Sequence, residues 1–355
     1  MTPGRASAVL LLASFAGAAP PARADVQSAF ADFKAGRYLE AAAEIQAVVD
    51  RSPGYAYGYF LLGHCMLKMK HTTNAEFQFR RALAVEPTRP EFFEGFAMAL
   101  NASGNWPIAV RAASEGLTHE PELPTRFGLL TLRAYAWGGL RRWEEAVADL
   151  EAAQRIHSEP WLLVRLGYAR FGAGAYAGAV APLRLALQNF PDDPVVLRVL
   201  AECYLRIAAE DPVPIRKRYN YSQSLLYAQQ LASLIPDDAD AVNLVGRAAL
   251  GAGKLDQAEN VFRHVLATNP RQCYALANLG RTYMASARWD EAEAALRQAS
   301  ACAPRWVTVY ESLGELYLQT GRPELAAKAF SRIEEIQPTR ESNDGRRVQA
   351  VFSPR

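Results

Sequence analysis

Cysteine and histidine are scarce in this 355-residue chain, at four and five residues. The cysteines, at 65, 203, 273 and 302, form no CxxC and no zinc-ligand spacing, so no metal site is expected. His64, His71, His119, His157 and His264 have no nucleophile or metal partner at a workable spacing. A glycine-rich phosphate loop is also missing. The chain therefore reads as a non-enzyme without a cofactor. A charge excess of one sign is lacking too. Lys+Arg number 39 and Asp+Glu 37, which argues against a nucleic-acid partner. Beyond the first 24 residues no apolar run is long enough to span a bilayer, and no stretch alternates with the period of a β-strand. The expected fold class is all-α.

The first 24 residues have a different character. Arg5 is followed by an apolar run from Ala6 to Ala19, then Pro20-Pro21, then the small-x-small pattern Ala22-Arg23-Ala24. This predicts a cleaved signal peptide over 1–24, a mature chain starting at Asp25, and no integral membrane span in that mature chain. Removing Arg5 and Arg23, with no acid, leaves the mature protein formally neutral. The leader and an Ala-rich, Arg-over-Lys composition point to export in a Gram-negative-type bacterium, to the periplasm or beyond.

The rest of the chain is periodic. Gly63, Ala75, Phe79, Ala82 and Pro87 recur in register as Gly246, Ala258, Phe262, Val265 and Pro270. They recur again as Gly280, Ala292, Leu296, Ala299 and Pro304, and as Gly314, Ala326, Phe330, Ile333 and Pro338. Pro53, Pro87 and Pro121 are 34 residues apart, as are Pro236, Pro270, Pro304 and Pro338. Together with Tyr59/Leu62/Gly63, Leu276/Leu279/Gly280/Tyr283 and Tyr310/Leu313/Gly314/Tyr317, this pattern resembles the tetratricopeptide repeat. The resemblance implies a right-handed superhelical solenoid of about nine helix-turn-helix repeats. The units fall at about 25–55, 56–89, 90–123, 124–159, 160–193, 194–238, 239–272, 273–306 and 307–338, followed by a polar tail over 339–355.

Within a unit, Gly36, Gly104, Gly174 and Gly253 are expected to stop the first helix in the left-handed conformation. The aromatic two residues later (Tyr38, Trp106, Tyr176) is expected to plug the gap between the paired helices. Pro191 to Pro236 is eleven residues longer than the period, and the excess falls around 208–219. Pro212 and Pro214 predict a projecting segment there rather than longer helices. Cys273 and Cys302 open the first and close the second helix of one pair, so their ends should adjoin. They form a candidate disulfide, whereas Cys65 and Cys203 read as small buried residues.

Such a solenoid lines its concave side with first helices. Helical spacing from the small core residues puts Tyr57, Phe60 and His64 there, then Tyr135, Trp161, Tyr168 and Phe171. Farther along it puts Arg198 and Arg206, then Asn243 and Arg247, then Asn278 and Arg281. Tyr, Trp and Arg are the residue types enriched where binding energy concentrates. The expected function is an exported, non-catalytic adaptor that grips a peptide segment of a partner protein. The alternative is a polysaccharide-binding or exopolysaccharide-secretion accessory protein, since aromatic rings also stack on sugars.

Overall fold

The computed structural model describes residues 23–337. The expected leader, apart from its last two residues, and the expected tail lie outside the described residues. Among the described residues are 18 helices packed as nine helix-turn-helix pairs. The first unit has α1 (Arg23–Lys34) with α2 (Tyr38–Arg51), α3 (Ala56–Lys68) with α4 (Thr72–Val85), and α5 (Pro90–Ala102) with α6 (Trp106–Thr118). It continues through α7 (Leu123–Gly139), α8 (Trp143–Ile156) and α9 (Pro160–Gly172). The chain divides between Pro182 and Leu183, inside α10 (Tyr176–Leu187), where Pro182 interrupts the helical hydrogen bonding. The second unit holds α11 (Pro194–Glu210) with α12 (Pro214–Leu234) and α13 (Ala239–Gly251) with α14 (Leu255–Thr268). It ends with α15 (Cys273–Ala285), α16 (Trp289–Cys302), α17 (Val307–Gln319) and α18 (Pro323–Ile336).

Several pairs close tightly because the first helix has a glycine, with no side chain, at the crossing point. A Cβ at Gly63 would lie 2.7 Å from the Phe79 ring, at Gly246 2.5 Å from Phe262, and at Gly280 2.6 Å from Leu296. Phe79, Phe262 and Leu296 are fully buried, so the ring or branched chain of the second helix fills the space the glycine leaves. First helices of successive pairs also touch, α3 on α5 and α5 on α7 in one unit, α11 on α13 and α13 on α15 in the other.

The turn glycines behave as expected, with φ of 82° at Gly36, 78° at Gly104, 76° at Gly174 and 77° at Gly253. One other expectation is extended and a second is corrected. The aromatics that open second helices do more than plug their own pair. Trp106 lies against Gly139 and Trp143 against Gly172, so each ring fills a glycine gap in the next pair's first helix. The excess over 208–219 is not a projecting loop. Helices α11 and α12 run to 17 and 21 residues and absorb it, leaving a turn at 211–213. Pro214 is compatible with this because it opens α12, where a missing N–H costs nothing.

A charge cluster recurs with the period. Glu259 pairs with Arg263 at 2.9 Å and Arg288 at 2.7 Å. One unit on, Glu293 pairs with Arg297 at 2.9 Å and Arg322 at 2.6 Å. Arg288 and Arg322 lie over the rings of Tyr283 and Tyr317, whose hydroxyls reach the same carboxylates. Burial raises the pKa of Glu293, but hydrogen bonds from Arg322 and Tyr317 outweigh it and hold the carboxyl below its ordinary range.

Candidate functional site

The residues proposed for the first-helix face occupy different environments in the two units. In the first, Phe60 is a core residue at 4% exposure, with its ring 5.2 Å from Phe92 and 5.8 Å from Phe79. That corrects its assignment to the open face, since the next pair's first helix covers it. Tyr57 lies half-buried on Phe60 at 5.4 Å. His64 sits edge-on to Phe60 at 4.5 Å and Phe79 at 5.3 Å. Burial, helped by Lys68, lowers its pKa to about 4, so it is neutral at pH 7.

Tyr135 and Tyr168 are each 47% exposed. Tyr135 rests on Trp106 at 5.4 Å and Tyr168 on Trp143 at 5.9 Å. Trp161 leans on Phe127 at 5.9 Å, and Phe171 on Tyr176 at 5.7 Å. Trp161, Tyr168 and Phe171 share one face of α9, but each ring is held by a different neighbour. The Arg165 guanidinium lies 5.1 Å from the Tyr135 ring and 5.4 Å from that of Trp161. Helical steps from the core glycine passed over this residue.

In the second unit most of the expected arginine and asparagine face satisfies itself. Arg198 pairs with Asp238 at 2.6 Å, and Arg247 with Glu202 at 2.9 Å. Asn243 and Asn278 are buried, and the Asn278 amide reaches the Asn243 carbonyl oxygen at 3.5 Å. Both are therefore corrected from open-face contacts to wall residues. Arg206 and Arg281 are exposed and make no ion pair among the described residues. A cleft of about 710 Å³ in the same unit is lined by Arg271, Tyr274, Arg305 and Trp306, with the two rings 4.5 Å apart.

Cys273 and Cys302 are joined as a disulfide, Cα atoms 5.6 Å apart, at the edge of that cleft. Cys65 and Cys203 are buried thiols, pushed up to about 11 and about 12 by desolvation, and are poor nucleophiles at neutral pH. Among the described residues no His, Cys, Asp and Glu cluster could hold a metal ion, and no helix is long and apolar enough to cross a membrane.

The paired helices, the small crossing residue and the 34-residue step define a helical repeat protein. Tetratricopeptide repeat models match residues 249–313 and 307–340. The chain carries tetratricopeptide repeats, whose fold is usually non-catalytic. A tetratricopeptide repeat protein from Parabacteroides merdae is similar in structure, with a TM-score of 0.58 at 15% identity over 74% of this chain and 99% of that one. A thermophilic tetratricopeptide repeat protein of Thermus thermophilus gives 0.45 at 24% identity over 54% and 98%. One from Cytophaga hutchinsonii gives 0.49 at 14% identity over 74% and 100%. No curated protein matches the sequence.

Proposed function

We propose that this protein is an exported, non-catalytic adaptor that holds a peptide segment of a partner protein against its first-helix face. One observation carries the reading. In the first unit Tyr135 and Trp161 flank Arg165, and Tyr168 stands on the same helix as Arg165, all three rings partly open to solvent. Aromatics and arginine in that state are the usual anchors of a peptide interface. The rings support a peptide over a sugar. Trp161 meets Phe127 at 78° and Tyr168 meets Trp143 at 76°, so they stand edge-on rather than as a flat platform. Export to the periplasm of a Gram-negative-type bacterium is part of the same proposal, supported by the leader-like first 24 residues and by the Cys273–Cys302 bridge.

The test is affinity capture from the envelope fraction with the wild-type chain and with Trp161→Ala combined with Tyr168→Ala. Loss of a protein ligand by roughly 30-fold or more, with an unchanged circular dichroism melt, is the expected result. Equal capture by both proteins refutes the aromatic face as the site. N-terminal sequencing of the captured bait should begin at Asp25, and an unprocessed start argues against export.

A further inference from the structure

Two ionisable groups of opposite type on the first unit's first helices lack ion-pair partners, and both lean on α7. Glu94, on α5, packs its carboxyl over Gly128, where an added Cβ would overlap Oε1. It has no hydrogen bond or ion pair among the described residues. Burial, with Glu91 adding to it, pushes its pKa up to about 8. Arg165, on α9, packs over Tyr135 and Trp161 with no carboxylate partner, and burial lowers its pKa. The two groups do not neutralise each other because they meet α7 at different heights. Gly128 and Tyr135 are two helical turns apart, about 10 Å along the axis at ~1.5 Å per residue. Arg133, by contrast, meets Asp149 at 2.6 Å. Glu94 therefore keeps its proton at pH 7 for want of a cation, Arg165 keeps its charge without an anion, and a ligand that supplied both counter-charges would let both ionise in a pair.

We propose, building on the peptide reading above, that this face takes a peptide segment carrying a basic and an acidic side chain three residues apart. The basic group sits on Glu94 and the acidic group on Arg165. The spacing follows from chain geometry. An extended polyproline-II segment has three residues per turn and rises ~3.1 Å per residue, so positions i and i+3 share one side about 9 Å apart. That is close to the separation along α7. The half-exposed Tyr135 ring lies at the Arg165 end, where it can pack on an intervening side chain.

The experiment uses the full chain and degenerate peptide libraries fixed as Lys-x-x-Glu, Glu-x-x-Lys, Lys-x-x-Ala, Ala-x-x-Glu and Ala-x-x-Ala. One of the two paired-charge libraries should bind at least about tenfold more tightly than Ala-x-x-Ala. Glu94→Gln should erase the preference for Lys and keep that for Glu, and Arg165→Gln should do the opposite. The library comparison on the wild-type chain needs neither variant to fold. Selection of peptides without a charge preference, or unchanged preferences in the variants, overturns this inference and leaves the peptide reading standing. If no library binds, and charged oligosaccharides bind or nothing does, both are overturned.

Discussion

Glu94 has an unusual position for a carboxyl group, because its acidity opposes folding at neutral pH. A residue one repeat earlier shows why the site is desolvated. Phe60 occupies the equivalent place 34 residues upstream and is a core side chain. Its folded pKa, about 8, lies above the ordinary carboxylate value near 4.5. The folded state therefore holds the proton more tightly than the unfolded chain. The resulting contribution to stability is fully present below pH ~4.5 and is lost as pH rises through 8. Glu94→Gln should match the wild type in urea unfolding at pH 4.5. At pH 9 it should be more stable by on the order of 2 kcal/mol, discounted for partial exposure. Parallel pH profiles for the two proteins would show that the carboxyl is solvated.

Helix ends show how the repeat tolerates departures from its own rule. The first helix of a pair stops at a residue with positive φ. Five of the pairs use glycine, at 36, 104, 174, 253 and 321. Three others place Lys70, Arg141 and Ala287 there, at φ of 62°, 59° and 55°. A side chain in this conformation costs roughly 1–2 kcal/mol, while glycine gives back about 0.5–1 through the entropy of the unfolded chain. Ala287→Gly should therefore stabilise by about 0.5–1 kcal/mol, seen as a higher thermal midpoint, and a lower midpoint would overturn the argument. The glycine stops were legible in the sequence because the residue type and the backbone angle are tied. Ala287 was hidden because alanine signals nothing about φ. The lengthened α11–α12 pair was misread for the opposite reason. Pro212 and Pro214 look like breakers, but the first falls in the turn and the second on the opening residue of α12, where proline is at home. The binding face was read only in part. Helical spacing marks the side of α3, α13 and α15 that faces outward from its own pair. It cannot tell solvent from the first helix of the next pair. Phe60, Asn243 and Asn278 are covered by that neighbouring wall, whereas Tyr135 and Tyr168 remain open.

At the scale of the whole molecule, stability in a repeat array is a sum of pairs and of the interfaces between neighbours, so one crosslink acts locally. The Cys273–Cys302 bridge spans α15 and α16 and closes a loop with a sequence separation of 29. Loop-closure entropy for that length gives about 3.5 kcal/mol of stabilisation by restricting the unfolded chain. The two remaining thiols are buried in α3 and α11, away from this pair in sequence, and cannot substitute for it. Cys302→Ser, or reduction of the wild type, should raise amide hydrogen exchange across residues 273–302 and in the helices packed on them. Exchange across 56–118, in the other unit, should stay as it is. Protein taken from the envelope should show the bridged protection pattern, and protein made in a reducing cytosol should show the open one. Identical exchange in all these samples would mean that the bridge contributes nothing. It would also remove one of the two supports for export and leave only the leader-like first 24 residues.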